Sequence, residues 1–290
     1  MSRIAIAAER CSRCGTCVAV CPALIFERSG PADVPAPAHE SLCIACGHCV
    51  AACPADAIAH AAVPPGSVRP LRLDLLPSTE QVVELLRQRR SIRVFDSRPI
   101  ERAALDAVLD AAGLAPSGHN MHNTECVVVQ DPDMLRRIAE LCVAYYTKAA
   151  RQLRNPLVRM AYRLILGPAY RSAIELVPEL ELMQQAVEAG HDIILRGAPC
   201  AVICHAEINV HTPEANAQLA LYNATLVGQT LGLGSCLLGW IVGACLRDKA
   251  IPRLLGIPDS HRVYGGLALG YPKVQFSKWI ERNPLNTTWL

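Results

Sequence analysis

From Ser78 onward, apolar positions recur at helical spacing, broken by short apolar runs. Ser78-x-x-Gln81 has the capping-box pattern, and Val82, Val83, Leu85 and Leu86 give an apolar stripe. This predicts a helix running into Arg89-Arg90-Ser91-Ile92-Arg93. A second helix is expected from about Ile100 to Ala112, with Leu105, Val108 and Leu109 inward and Gly113 as its stop. Cys126 to Gln130 reads as a short strand bounded by Asp131-Pro132. A helix-rich stretch follows, from about Met134 to Leu195, with Gly167-Pro168 as its internal landmark. Cys200 to His205 reads as a buried strand. Thr212-Pro213-Glu214 is expected to cap a long helix through about Leu231, apolar on most faces and therefore central. Strands near Cys236–Ile241 and Arg262–Leu269 complete the sheet. Helices with scattered strands favour an α+β class over a regular βαβ series.

The pattern before Ser78 is different. Val63 to Pro77, VPPGSVRPLRLDLLP, is proline-rich without helical periodicity and reads as a linker or wrapping arm. Ser29 to Glu40 is similarly proline-rich and is expected at the surface. The expected division is therefore 1–62, a linker at 63–77, and a larger unit over 78–290. A chain of 290 residues, half of them hydrophobic, has material for a sizeable core. Its formal net charge of +2 and lack of a basic block argue against nucleic acid as a partner. Apolar runs such as Ser235 to Leu246 are too short to span a bilayer. The opening MSRIAIAAER has no basic segment leading into an apolar stretch, so a cytoplasmic protein is expected.

Cysteine carries the first chemistry. Eight of the fourteen cysteines form Cys11-x2-Cys14-x2-Cys17-x3-Cys21-Pro22 and Cys43-x2-Cys46-x2-Cys49-x3-Cys53-Pro54. Three thiolates at three-residue intervals on one loop can reach three corners of an iron–sulfur cube. Zinc sites use C-x2-C pairs set further apart, and a disulfide framework needs an oxidising compartment. Neither alternative suits these runs. Cys126, Cys142, Cys200, Cys204, Cys236 and Cys245 lack metal spacing and read as small apolar residues. The paired runs resemble bacterial-type ferredoxins that hold two 4Fe–4S clusters. In such proteins the fourth cysteine of each run serves the other cluster. The resemblance assigns Cys11, Cys14, Cys17 and Cys53 to one cluster, and Cys43, Cys46, Cys49 and Cys21 to the other. Gly15 and Gly47 suit loops that need unusual backbone angles.

Three segments of the larger unit add to this. Arg89-Arg90-Ser91-x-Arg93 can cradle a phosphate, though arginines at a helix C-terminus also favour the helix dipole without a ligand. Ala115-Pro116-Ser117-Gly118-His119-Asn120 is a small-residue loop that can approach a planar ring, or an ordinary turn. Leu231-Gly232-Leu233-Gly234-Ser235 runs from helix to strand and lacks a third glycine, so a nicotinamide-binding Rossmann site is not supported.

In this order the three segments resemble the nitroreductase family of FMN-dependent oxidoreductases, over roughly residues 78–290. The resemblance implies that Arg89, Arg90, Ser91 and Arg93 bind FMN. It implies that Pro116, Ser117, Gly118 and Asn120 are laid on the flavin ring by the partner subunit, and that Leu238 and Gly239 lie by its redox-active edge. Arg282, after Gly270-Tyr271-Pro272 and a basic stretch, would complete the phosphate site, with Lys278 as the lesser candidate. A homodimer with interface flavins and embracing C-terminal arms is implied, as is a lid within about Tyr145 to Gly190. Relatives often continue the second loop with Gln-Pro-Trp, where this chain has His122-Asn123-Thr124. His122 is thus a candidate proton donor, weighed against a loop histidine held by backbone.

Clusters pass single electrons, and FMN can collect them and deliver a pair. The expected activity is a ferredoxin-coupled FMN reductase of a small conjugated, quinone or nitro-type acceptor. Reduced ferredoxin, flavodoxin or NAD(P)H would be the donor. The alternatives are a module passing electrons between redox proteins, or a flavin enzyme that removes a substituent reductively or dehydrogenates.

Overall fold

In the computed structural model, residues 3–166, 175 and 177–290 are described. The chain forms two compact units, Met1–Pro77 with Gly118–Met121, and Ser78–Ser117 with His122–Leu290.

The first unit is built on two short antiparallel ribbons. β1 (Ile4–Ile6) pairs with β4 (Ile58–His60), Ile4 opposite His60. β2 (Phe26–Glu27) pairs with β3 (Ala36–Pro37). Ile4, Ile25, Phe26, Cys49 and Ile58 form its core. A unit this small has little apolar burial, and groups bound by its cysteines would supply the rest. Short helices, Thr16–Val20 and His48–Ala51, each follow a glycine in the left-handed region, Gly15 at φ 75° and Gly47 at φ 71°. A side chain at either position would strain the loop just where the backbone turns around the cysteines. The stretch after Val63 groups with this unit and carries 3-10 turns at Pro65–Ser67 and Leu73–Leu75.

The second unit has one antiparallel sheet in the order β5-β6-β8-β7, from β5 (Glu125–Val129), β6 (Cys200–Glu207), β7 (Gly234–Leu237) and β8 (His261–Gly270). Alternate residues of the central strands feed two cores. Ala201, Ile203 and Ala268 join helices Pro132–Leu153, Val177–Glu188 and Gly239–Cys245 on one face. Cys200, Val202, Cys204, Leu267 and Leu269 join helices Arg102–Gly113 and Pro213–Thr230 on the other. Burial on both faces explains why β6 reads as an unbroken apolar run.

The α+β class is as expected, and the long helix Pro213–Thr230 is central, burying Ala217, Leu221 and Ala224. Three details differ from the sequence reading. The strand expected to reach Ile241 ends at Leu237, and a helix spans Gly239–Cys245. Its buried positions Ile241, Ala244 and Cys245 have helical spacing, hidden within a continuous apolar run. Thr212 lies at φ 47° and makes no side-chain cap; its hydroxyl donates to Asn216 Oδ1 at 3.2 Å instead. Helix Thr79–Gln88 has its capping box, yet buries no residue: Val82 and Leu86 are 40% and 42% exposed. Gly167-Pro168 and part of the expected lid lie outside the described residues.

Candidate functional site

In the first unit, Cys21, Cys43, Cys46 and Cys49 surround one small cavity with Ile25, Phe26 and His60. These are the four residues that the ferredoxin resemblance groups on one cluster. Cys11, Cys14 and Cys17 also gather: charges at Cys11 and Cys14 help, after burial, to push the Cys17 thiol up. Backbone N–H groups already address sulfur, from Arg13 to Cys11 Sγ at 3.4 Å, Ala45 to Cys43 Sγ at 3.4 Å and Ala57 to Cys53 Sγ at 3.3 Å. Thiolate ligands of an iron–sulfur cluster need such donors. The donor set therefore fits the clusters that the spacing implies.

One further residue joins this site without any sequence motif. Buried His60 places Nε2 3.3 Å from Cys43 Sγ. Its position on β4, after the second run, carries no motif, and only the β1–β4 pairing brings it to the sulfur.

In the second unit, the end of helix Thr79–Gln88 opens on a cavity of about 570 Å³. It is lined by Arg87, Arg89, Arg90, Gly234, Ser235 and Lys278, among others. The segment after the helix is held against β7, where Ile92 N–H donates to Ser235 O at 2.8 Å. Gly234 makes this approach feasible: a Cβ there would lie 2.5 Å from Ile92 Cγ1. Across the cavity, Arg87 stacks on Trp279 with its guanidinium 5.0 Å from the ring centre.

The arginines divide into two kinds. Arg90 Nη1 donates to the carbonyls of Arg87 and Arg89 at 3.0 and 3.2 Å, and so serves the helix end. Arg89 Nε is buried without a hydrogen-bond partner among the described residues. An orphaned cationic donor on a cavity fits an anionic group such as the FMN phosphate. Ser91 and Arg93 do not line this cavity, Lys278 does, and Arg282 is exposed beyond it. Leu238 is buried, with its N–H on Gly266 O at 2.8 Å, and Gly239 beside it is exposed.

Pro116 and Ser117 line a different cavity of about 270 Å³, with His122, Thr124 and Asn216. His122 is exposed at φ 44°, its backbone N–H donating to Ser117 Oγ at 3.0 Å. Gly118 and Asn120 group with the first unit, where Asn120 Nδ2 donates to Ala45 O at 3.1 Å. Pro116 and Ser117 are thus not among the residues that line the arginine cavity.

Residues 86–271 match the nitroreductase family model, and residues 10–58 match that of a 4Fe–4S dicluster domain. Iodotyrosine deiodinase 1 of Rattus norvegicus is 30% identical over 199 residues, covering 67% of this chain. The chain spans 63% of that relative's length. An FMN reductase (NAD(P)H) of Bacillus subtilis is 25% identical over 200 residues, covering 68% of both proteins. The solved structure of a nitroreductase with bound FMN from Bacteroides fragilis shares the fold, with a TM-score of 0.53 at 23% identity. It covers 73% of this chain and 100% of that one. Among the described residues no helix is long and apolar enough to cross a membrane.

Proposed function

The chain belongs to the nitroreductase family and carries a 4Fe–4S dicluster domain ahead of it, and from that premise we propose an FMN-dependent oxidoreductase fed by two 4Fe–4S clusters, with a small conjugated, quinone or nitro-type molecule as acceptor. The observation that carries this reading is the buried, unpartnered Arg89 Nε on a cavity edged by Arg87, Arg90 and Lys278. Leaving such a donor unpaired costs about 1–3 kcal/mol, which a phosphate oxygen would recover.

When bound, FMN would exchange single electrons with the clusters and a pair with the acceptor. The chain's own residues have separate tasks. Arg89 and Lys278 hold the phosphate, and Arg90 fixes the helix end from which Arg89 projects. Gly234 allows the arginine segment to lie against β7, and Leu238 and Gly239 border the ring. Pro116, Ser117, Gly118 and Asn120 reach the ring of the partner subunit. His122 is the candidate to hold a proton for the acceptor. A homodimer is supported by the uncovered stripe of Val82 and Leu86 and by exposed Phe276, Trp279 and Ile280 in the C-terminal segment. Reduced ferredoxin, flavodoxin or NAD(P)H supplies the electrons. A second reading, reductive removal of a ring substituent, is supported by the similarity to iodotyrosine deiodinase 1.

The test is anaerobic purification, counting iron and released flavin, then reduction by reduced ferredoxin or NAD(P)H before mixing with nitroaromatics, quinones and iodophenols. About eight irons and FMN in each chain, with flavin reoxidised by one acceptor class, are expected. Protein that retains no FMN, or whose flavin is not reoxidised by any of these classes, would overturn the reading; iodide release alone would favour the second.

A further inference from the structure

A cluster of side chains outside both cofactor regions has ligand chemistry of its own. Glu125 opens β5 and stands directly opposite His205 on β6. His261 opens β8 and pairs with Glu207, two residues beyond His205. Residues two apart on a strand share a face, so all three side chains leave the same face at the same end of the sheet. His205 Nδ1 and His261 Nδ1 are 2.9 Å apart. One ligand atom from each of Glu125, His205 and His261 lies within 4.8 Å of the others.

We propose that Glu125, His205 and His261 form a site for a borderline divalent cation of the zinc type. Two imidazoles and one carboxylate are the donor set that such ions prefer, and hard cations such as magnesium favour all-oxygen sites. Ligand distances of about 2.0–2.2 Å place the two Nδ1 atoms within reach of one ion. Glu125 is exposed, and rotation of its side chain closes the remaining gap. His205 is buried and supplies the fixed wall, while His261 is half-buried and leaves an open side for water. The register irregularity between Cys204 and His205 lets this convergence occur, because it shifts β6 against β8 just before His205.

The site is distinct from the arginine cavity. His261 begins β8, and the opposite end of that strand, Gly270, pairs with Gly234. Nine residues of strand separate the two ends by about 30 Å. An ion here would tie β5, β6 and β8 together and stabilise the folded state by mass action. The proposal does not depend on the activity assigned above.

The test uses anaerobically purified protein with its clusters and flavin, dialysed against micromolar zinc chloride and then against metal-free buffer. Zinc and iron are counted together by mass spectrometry, and the unfolding midpoint is recorded. One zinc per chain is expected, with iron unchanged and a raised midpoint. H261N and E125Q should abolish zinc retention while iron and flavin stay at wild-type levels. Should H205N fail to fold, H261N at its half-buried position carries the test. No stoichiometric zinc in the wild type, or undiminished zinc in H261N combined with E125Q, would overturn the site.

Discussion

His60 donates its ring N–H to Cys43: Nε2 lies 3.3 Å from Sγ, while the backbone N–H of Ala62 donates to Nδ1 at 3.0 Å. An Nδ1 that accepts leaves the proton on Nε2, so the tautomer is set by the backbone of the following turn. Hydrogen bonds to cluster sulfurs stabilise the more negative, reduced state and raise the potential. His60→Leu should therefore make one cluster harder to reduce and leave the other unchanged, at unaltered iron content. Potentiometry followed by electron paramagnetic resonance reads this. A shift in both clusters, or in neither, would refute it.

The two neighbouring arginines should behave differently. Arg89→Ala removes the unpartnered donor and is expected to release FMN while the clusters remain. Arg90→Ala removes a helix-end contact, costing about 0.3–1 kcal/mol of stability, and should retain most of the flavin. Flavin fluorescence after denaturation and thermal melts separate the two effects. Equal flavin loss in both variants would mean that the arginines act together and not as divided here.

Gly234→Ala tests how the cavity is held open. The new methyl group would meet Ile92 Cγ1 at 2.5 Å and Cβ at 2.9 Å, so the arginine segment must move off β7. A loss of about 1–3 kcal/mol is expected, accompanied by flavin release. Gly66→Ala is the control, since a methyl there meets nothing within 4 Å and the residue lies outside the flavin cavity. Normal stability and flavin content in the Gly234 variant would show that the approach of Ile92 is not needed.

Burial pushes the thiols of Cys142, Cys200 and Cys245 up to about 12. At pH 8 only on the order of one in ten thousand of each would be thiolate. Iodoacetamide should leave all three unmodified in the native protein and modify them after unfolding, as peptide mass spectrometry would record. Native labelling at any of them would contradict the packing described.

Legibility from sequence followed the range of the interaction. The cysteine runs and the capping box at Ser78 are local, and both are readable from spacing. Cys142, Cys200, Cys204 and Cys245 are buried, as their apolar surroundings suggested. Failures arose where distant residues decide. Leu238–Cys245 is apolar throughout, and only its packing against Pro132–Leu153 and β8 selects helix over strand. Thr212 looked like a cap until its hydroxyl found Asn216. His60 and the Glu125, His205 and His261 group have no motif at all, because strand pairing assembles them. Arg89 and Arg90, identical in type and adjacent, could be told apart only by their hydrogen bonds.

The uneven shielding of the two cysteine runs has a practical consequence for handling the protein. Cys14 is exposed at the rim of its loop, whereas Cys49 is only 8% exposed and sits in the core with Ile25 and Phe26. The other six cysteines are half-buried in both runs, so oxygen and chelators should find their first opening at Cys14. Brief aeration should therefore produce a half-stripped population, with the inner cubane surviving as a lone spectroscopic signal. Samples prepared in air would then look like a single-cluster protein.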